Sequence, residues 1–394
     1  MNDATLVINT GSSSIKFAVF LNTKASALFR CVSGSIQGIG DQAAFSVTSV
    51  KPGPQEQVSK TTLSAADHAQ ALQYILDWLA SKTSDLNLLA AGHRVVHGGT
   101  RFTQAVRVDA QVLNELKALI PLAPLHQPHA LHAIEALSAQ QPQLPQVACF
   151  DTAFHANMPR HEQRFALPGS LEQQGIRRYG FHGLSYEYIS SMLPGYLGDK
   201  ADGNVVIAHL GHGVSMCALK HRRSVATTMS FTPLDGLPMG TRSGAIDPAI
   251  VLYLLERGMN GTEISNLLHH QSGLLGLSGI SDDMQTLLSS SQAAAAEAVE
   301  YFCYRISREL GSLAAALGGL DALVFTGGIG ERATTVRARI CDTAAWLGVS
   351  IDESANQANA LDISASNSKV AVWVIPTDEE QTIARETLTM ISST

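Results

Sequence analysis

The chain has 394 residues, of which 45% are hydrophobic and 15% charged, with a formal net charge of −7. That length exceeds what one ordinary core needs, so two or three domains are expected, and the apolar content excludes a disordered chain. The negative balance leaves no electrostatic footprint for nucleic acid or an anionic membrane surface, so any anion site must be local.

Five scattered cysteines (Cys31, Cys149, Cys217, Cys303 and Cys341) form no C-x-x-C pair, which is the usage of a reduced compartment. The opening MNDATLVINT lacks a basic segment followed by an apolar one, and no run reaches the roughly eighteen apolar residues a membrane span needs. The expectation is a soluble cytoplasmic protein.

Short apolar runs bounded by turn residues alternate with helical patterns, which points to an α/β fold. TLVINT and IKFAVF read as strands flanking GSSS. The stretch VINTGSSSIKF (7–17) allows two readings: a plain β-hairpin, or a nest of backbone N–H and hydroxyl groups facing an anion, with Lys16 as a point charge. KPGPQEQ (51–57) reads as a surface loop. Ser64 to Lys82 reads as a helix with Ser64 as cap and Leu72, Ile75, Leu76 and Leu79 on one face. In GHRVVHGG (92–99), Arg94 stands among glycines, which thin its surroundings and let a guanidinium meet a carboxylate or phosphate in two hydrogen bonds. His126, His129 and His132 suggest zinc by spacing, but no further ligand lies nearby and Pro128 reads as a helix start.

VACF is a buried strand, and CFDTAFH (149–155) puts Asp151 directly after it, where α/β folds place functional carboxylates. YGFHGLS (179–185) sets His182 between an aromatic residue and a glycine, compatible with a structural or a functional role. NVVIAHL opens an internal echo: IAHLGHGVSMCAL around Gly211 repeats the strand–Gly turn–strand form of VINTGSSSIKFAVF around Gly11, with Ala218 opposite Ala18. A repeat at half the chain length predicts two similar domains, each opening on a hairpin. GTRSGAID (240–247) places Arg242 beside glycines, as at Arg94. Residues 292–317 form a helix whose stripe of Val299, Phe302, Cys303, Ile306, Leu310, Leu313 and Leu317 is core. ALVFTGGIGERA (322–333) runs from a strand through a Gly-rich turn into a helix, aiming backbone N–H groups at negative charge. GIGERA also fits a dinucleotide fingerprint with Asp352 beyond it, but too little chain follows for the βαβ sheet that fingerprint opens. KVAVWVIP is the last strand. No G-x-x-x-x-G-K-[ST] and no protein-kinase signature occurs, so ATP would need another architecture.

Taken in order, NTGSSSIKF, HRVVHGG, FDTAFHANMP, RRYGFHG, HLGHG, FTPLDGLPMGTRSGAIDPA, SGLLGLSG, FTGGIGE and IPTDEEQTIARET span the chain end to end. In them the chain resembles the acetate/propionate kinase family of the sugar-kinase, heat-shock-ATPase and actin superfamily. The resemblance implies an α/β fold of two domains of duplicated actin-like ATPase (ribonuclease H-like) topology with an interdomain cleft. They are expected at 1–150 plus 381–394, the latter a C-terminal helix, and at 151–380. It implies reversible, direct in-line phosphoryl transfer from ATP to acetate, with Mg²⁺ (Mn²⁺ as an alternative ion), by a homodimer binding a small carboxylate and a nucleotide. Propionate as the acid is the nearest alternative. A nucleotide-gated clamp without small-substrate chemistry is the alternative from another class.

By the same resemblance, Asn9 and Glu379 match Mg²⁺ positions, and Ser12, Ser14 and Lys16 the phosphate-side turn. His209, Leu210, Gly211, His212 and Gly213, then Asp283, Met284 and Gln285, then Gly328, Ile329, Gly330, Glu331 and Arg332 match nucleotide-binding stretches. Arg94 and Arg242 match the arginines around the acid and the transferring phosphoryl group, Asp151 the catalytic aspartate and His182 the transition-state histidine. Val96, Leu125, Phe181 and Pro233 match the pocket for the acetate methyl. Phosphoryl transfer needs positioning and positive charge more than covalent chemistry, and acetate is already a carboxylate. Asp151 is therefore expected to orient an arginine or Mg²⁺ rather than act as a base. The sequence departs from the family at His212, Met284, Gln285, Arg332 and Asp378, which bears on nucleotide preference.

Overall fold

The computed structural model describes residues 2–11, 13–22, 28–49, 56–63, 67–82 and 86–392. The chain divides into two units, Met1–Phe154 with Asp378–Thr394, and His155–Thr377.

The first unit is built on β1 (Asn2–Thr10), β2 (Ser14–Asn22), β3 (Leu28–Gln37), β4 (Ala43–Ser49), β5 (Glu56–Leu63), β6 (Leu86–Val95), β7 (Val106–Arg107) and β8 (Gln146–Phe150). They form one sheet in the order β5-β4-β3-β2-β1-β6-β8-β7. β1 pairs antiparallel with β2 and parallel with β6, and β6 pairs parallel with β8. The helix His68–Lys82 lays the expected face, Leu72, Ile75, Leu76 and Leu79, on a core that includes Phe17 and Phe45. The Ser64 cap and most of KPGPQEQ lie outside the described residues. The helix as described starts behind Asp67, whose Oδ1 accepts from the Gln70 amide at 2.9 Å. Glu56 and Gln57, expected in a loop, open β5 instead.

The second unit carries β9 (Asn204–Leu210), β10 (Val214–Lys220), β11 (Arg223–Thr227), β12 (Ala322–Thr326) and β13 (Ala371–Val374), in the order β11-β10-β9-β12-β13. β9, β10 and β11 are antiparallel neighbours, and β12 runs parallel to both β9 and β13. This is the order and sense of β3-β2-β1-β6-β8 in the first unit. The hairpin echo thus marks a duplication: β2 starts at Ser14 and β10 at Val214. The predicted long helix spans Ala293–Leu317, and its expected apolar stripe is buried. Asp352, weighed above as part of a dinucleotide fingerprint, caps the helix Glu353–Gln357 by accepting from the Ala355 amide.

A glycine brings the last helix of the first unit close to the sheet. Gly92 lies on β6, and a Cβ there would stand 2.2 Å from Thr387 Oγ1 and 2.6 Å from Ile383 Cγ2. The helix Glu379–Ser392 therefore seats directly on bare backbone, which carries its acidic first turn toward the end of β6.

Candidate active site

Each unit gathers part of the sequence-predicted set. In the first unit Arg94 sits near the end of β6 and Asp151 follows β8, whose Phe150 pairs with Val95. Their side chains lock together: Arg94 Nε donates to Asp151 Oδ1 at 3.0 Å and Nη2 donates to Oδ2 at 2.7 Å. Arg94 Nη1 lies 3.3 Å from Glu379 Oε2, and only 3% of the Asp151 side chain is exposed. Asp151 and Glu379, expected in the second domain, belong to the first unit, because the Asp151 amide donates to Val95 O and the last helix packs on β6. Burial works against the Arg94 charge, but Asp151, Glu379 and Glu380 outweigh it and hold the guanidinium pKa above its usual value. The Glu380 pKa is raised as well, which favours its neutral form: burial raises its carboxyl, and Asp378 and Glu379 add to that against Arg30 and Lys16. Arg30 pairs with both Asp378 and Glu380, a brace across the start of the helix.

Asn9 lies opposite Lys16 in the β1–β2 register, and Lys16 is exposed. The Gly11 amide donates to Ser14 O at 2.8 Å, and the His68 ring meets Gly11 O at 2.8 Å, so the described part of the turn is pinned from both sides. Ser12 lies outside the described residues. Val96 is partly exposed and Leu125 is exposed, both in the first unit. His129, one of the three spaced histidines, stacks on His68 at 5.2 Å.

In the second unit His182 caps the helix Gly183–Leu197 at φ 58° and ψ 22°, a left-handed backbone that a non-glycine residue adopts at a cost of about 1–3 kcal/mol. Its Nδ1 lies 2.8 Å from Ser215 Oγ, and its ring stacks on His209 at 4.3 Å. A Cβ on Gly213 would meet His182 Nε2 at 3.0 Å and Arg242 Nη2 at 3.7 Å, so the imidazole and the guanidinium flank one small gap. Arg242 Nη1 donates to Pro233 O at 2.8 Å, and Phe181 is buried.

Gly211, His212, Asp283, Met284, Gln285, Gly328, Ile329 and Arg332 line one pocket of about 570 Å³. Asp282, which the sequence reading did not single out, joins them and lies 3.2 Å from His212 Nε2. His209, Leu210, Gly213, Gly330 and Glu331 are not among the residues that line the pocket. Glu331 Oε1 accepts from the Gly327 and Thr377 amides at 3.0 and 3.3 Å, so its carboxylate fixes the Gly-rich turn. Gly327 is left-handed, and a Cβ there would lie 2.8 Å from Leu210 O.

A duplicated sheet order, Gly-rich turns at the strand ends and an arginine in each unit define a phosphotransferase of the actin-like ATPase fold. The chain belongs to the acetokinase family, which it matches over residues 4–385. It is 54% identical over 390 residues to an acetate kinase of Rhodopseudomonas palustris, covering 98% of each chain. It is 46% identical to an acetate kinase of Rhizobium meliloti over 99% of each. Among solved structures it is similar to an acetate kinase of Porphyromonas gingivalis (35% identity, 99% and 100% covered, TM-score 0.87). It is also similar to a propionate kinase of Francisella tularensis (38% identity, 98% and 100% covered, TM-score 0.91).

Proposed function

We propose that this chain transfers the γ-phosphoryl group of ATP to acetate, reversibly, giving acetyl phosphate and ADP. An acetate oxygen attacks the γ-phosphorus in line, the bond from that phosphorus to the bridging oxygen breaks, and ADP leaves with the electron pair. No substrate proton moves. The observation that carries the reading is the Arg94 guanidinium, held in two hydrogen bonds on a buried carboxylate at the carboxyl ends of parallel strands. Arg94 binds the carboxylate of the acid, and Arg242 and His182 stabilise charge on the transferring group. The pocket at Gly211, Gly328 and Arg332 takes the nucleotide.

The donor chemistry of the first unit suits Mg²⁺. Asp151, Glu379 and the Asn9 amide are hard oxygen donors. Among the described residues no group of three or more His, Cys, Asp or Glu side chains is placed to hold a metal ion. Asn9 and Glu379 would hold it, and when bound it supplies charge neutralisation at the phosphates.

In this reading Val96 and Leu125 of the first unit contribute to the recognition of the acid's methyl group. One methylene discriminates by about 1–3 kcal/mol, so propionate should be a slower second substrate. No helix among the described residues is long and apolar enough to cross a membrane. The chain acts in the cytoplasm as a homodimer, a reading supported by cysteines that form no disulfide and by the exposed Leu252 and Tyr253 on the helix Pro248–Glu256.

Trapping acyl phosphate with hydroxylamine while varying acid and nucleotide tests the reaction. Hydroxamate from acetate is expected with ATP and Mg²⁺, and none from acetate or propionate with any nucleotide would overturn the assignment. In the same assay Gly213→Ala should lower kcat roughly 10–100-fold by displacing His182 from the gap it shares with Arg242, with substrate KM values nearly unchanged. Full activity in that variant would remove His182 from its proposed role.

A further inference from the structure

The chemistry of His182 depends on which ring nitrogen carries the hydrogen, and the second unit holds a chain of groups that bears on it. Behind His182 Nδ1 stands Ser215 Oγ at 2.8 Å, and behind Ser215 stands Tyr186 Oη at 2.5 Å. Ser215 and Tyr186 are fully buried. Ser215 is a hydroxyl on β10, in the otherwise apolar run VSMCAL, while Tyr186 lies four residues after His182 on the following helix, one turn along the same face. One strand and one capped helix thus place three polar groups in a hydrogen-bonded chain.

We infer that Tyr186 and Ser215 are positioning residues that set the tautomer of His182: the tyrosine hydroxyl donates to Ser215 Oγ, the serine hydroxyl donates to His182 Nδ1, and Nε2 carries the imidazole hydrogen. This inference rests on the proposed reaction only for the role of His182. The direction of the chain follows from what lies on the far side of the ring. Nε2 and Arg242 Nη2 flank the same gap beside Gly213, and two groups that converge on a phosphoryl oxygen must both donate. Nδ1 must then accept, so Ser215 must donate, and its oxygen is left to receive a proton from the phenol. Burial raises the Tyr186 hydroxyl well above its usual pKa, with Cys217 adding to the shift against the Ser215 hydrogen bond, so the phenol keeps the hydrogen it donates. The titratable and charged groups around this line are His209, stacked on His182; His155, edge-on to Tyr186; Cys217; and Arg242. His209 is itself anchored, with Nδ1 2.8 Å from Ser185 Oγ, which lies 2.8 Å from Thr377 Oγ1. The ring beneath His182 is therefore fixed as firmly as the ring itself.

The test uses the full chain with Ser215→Ala, Ser215→Thr and Tyr186→Phe, each alone and in a His182→Ala background. With His182 present, Ser215→Ala should lower kcat of hydroxamate formation about 10–100-fold and Tyr186→Phe about 3–10-fold, with both KM values within about threefold of the parent. Ser215→Thr, which keeps a hydroxyl, should retain more activity than Ser215→Ala. Without His182, Ser215→Ala and Tyr186→Phe should change the residual rate less than twofold, because they act through a ring that is gone. Nitrogen NMR of the histidine rings, with His182 identified by its loss in His182→Ala, should show Nε2 protonated in the parent and a changed tautomer in Ser215→Ala. Equal losses with and without His182, or an unaltered His182 signal in Ser215→Ala, would overturn the inference while leaving the reaction standing. If the parent formed no hydroxamate, the reaction would fall, and the NMR arm would still decide the tautomer.

Discussion

Asp151→Asn is expected to lower kcat/KM for acetyl phosphate formation about 10²-fold or more while the chain stays folded. Asp151 accepts both the Nε and Nη2 hydrogens of Arg94, and its side chain is almost fully buried. An amide of the same shape keeps one acceptor, turns an N–H toward a cationic N–H and so twists the guanidinium off its seat. Glu379, at 3.3 Å, would then be the only carboxylate paired with Arg94, and a misplacement of that kind is what phosphoryl transfer by positioning tolerates least. A general base would show itself differently. Its loss would abolish an ionisation in the rate profile, whereas acetate offers no proton to remove. The wild-type profile should therefore carry no limb that Asp151→Asn deletes. Arg94→Ala should do more damage to the fold, since it leaves the Asp151 carboxylate buried beside Glu379 without its counter-ion, at a cost of about 3–5 kcal/mol. Both effects are read by steady-state kinetics at varied Mg²⁺ and by urea unfolding. Near-normal turnover with an unchanged Mg²⁺ requirement in Asp151→Asn would sink the orienting role.

The duplicated hairpins were legible because alternating apolar runs around a glycine turn need only local sequence, and the same holds for the helix faces at 68–82 and 293–317. β3, β4 and β5 were not legible. SVTS and VSKTT fill strand positions with small hydroxylated residues, which dilutes the period-two contrast that marks a strand. At the site, glycine neighbours drew attention to Arg94 and Arg242, but the partners came from far along the chain: 57 residues separate Arg94 from Asp151, and Arg30 meets Asp378 and Glu380 from the opposite end. Ser215 left a trace, a lone hydroxyl in an apolar strand, and Ser185 and Tyr186 another, at three and four residues from His182. Neither trace has meaning until β10 and the helix are brought side by side. Glu331 reads from sequence as part of a nucleotide loop, and its carboxylate is engaged by two backbone amides that hold the loop in shape.

Acid should destabilise both units of this protein through their buried histidines. His93, His97 and His155 are buried, and burial lowers each imidazole to a pKa of about 4. For His155 the hydrogen bond to Phe181 O offsets part of that effect. The unfolded chain binds these protons near the ordinary value of 6.5, so between about pH 6.5 and 4 the unfolded state holds more protons and stability rises with pH. Each histidine then contributes up to about 1.4 kcal/mol per pH unit inside the window and about 3 kcal/mol across it. Above the window the contribution is fully present. His93 and His97 belong to the first unit and His155 to the second, and burial also lowers His129 in the first and His269 in the second, so both units carry an acid slope. Glu380 pulls the other way at the low end, because its raised carboxyl binds a proton more readily in the folded state. One such group does not offset two histidines. The measurement is urea unfolding at several pH values with hydrogen exchange resolved along the chain: protection in β1, β6 and β8 and in β9 and β12 should fall as the pH drops from about 6.5 to 4. His93→Gln, which removes a buried imidazole from β6, should flatten the slope of the first unit by about one proton and leave the second unchanged. An unaltered slope in that variant would assign the acid sensitivity elsewhere.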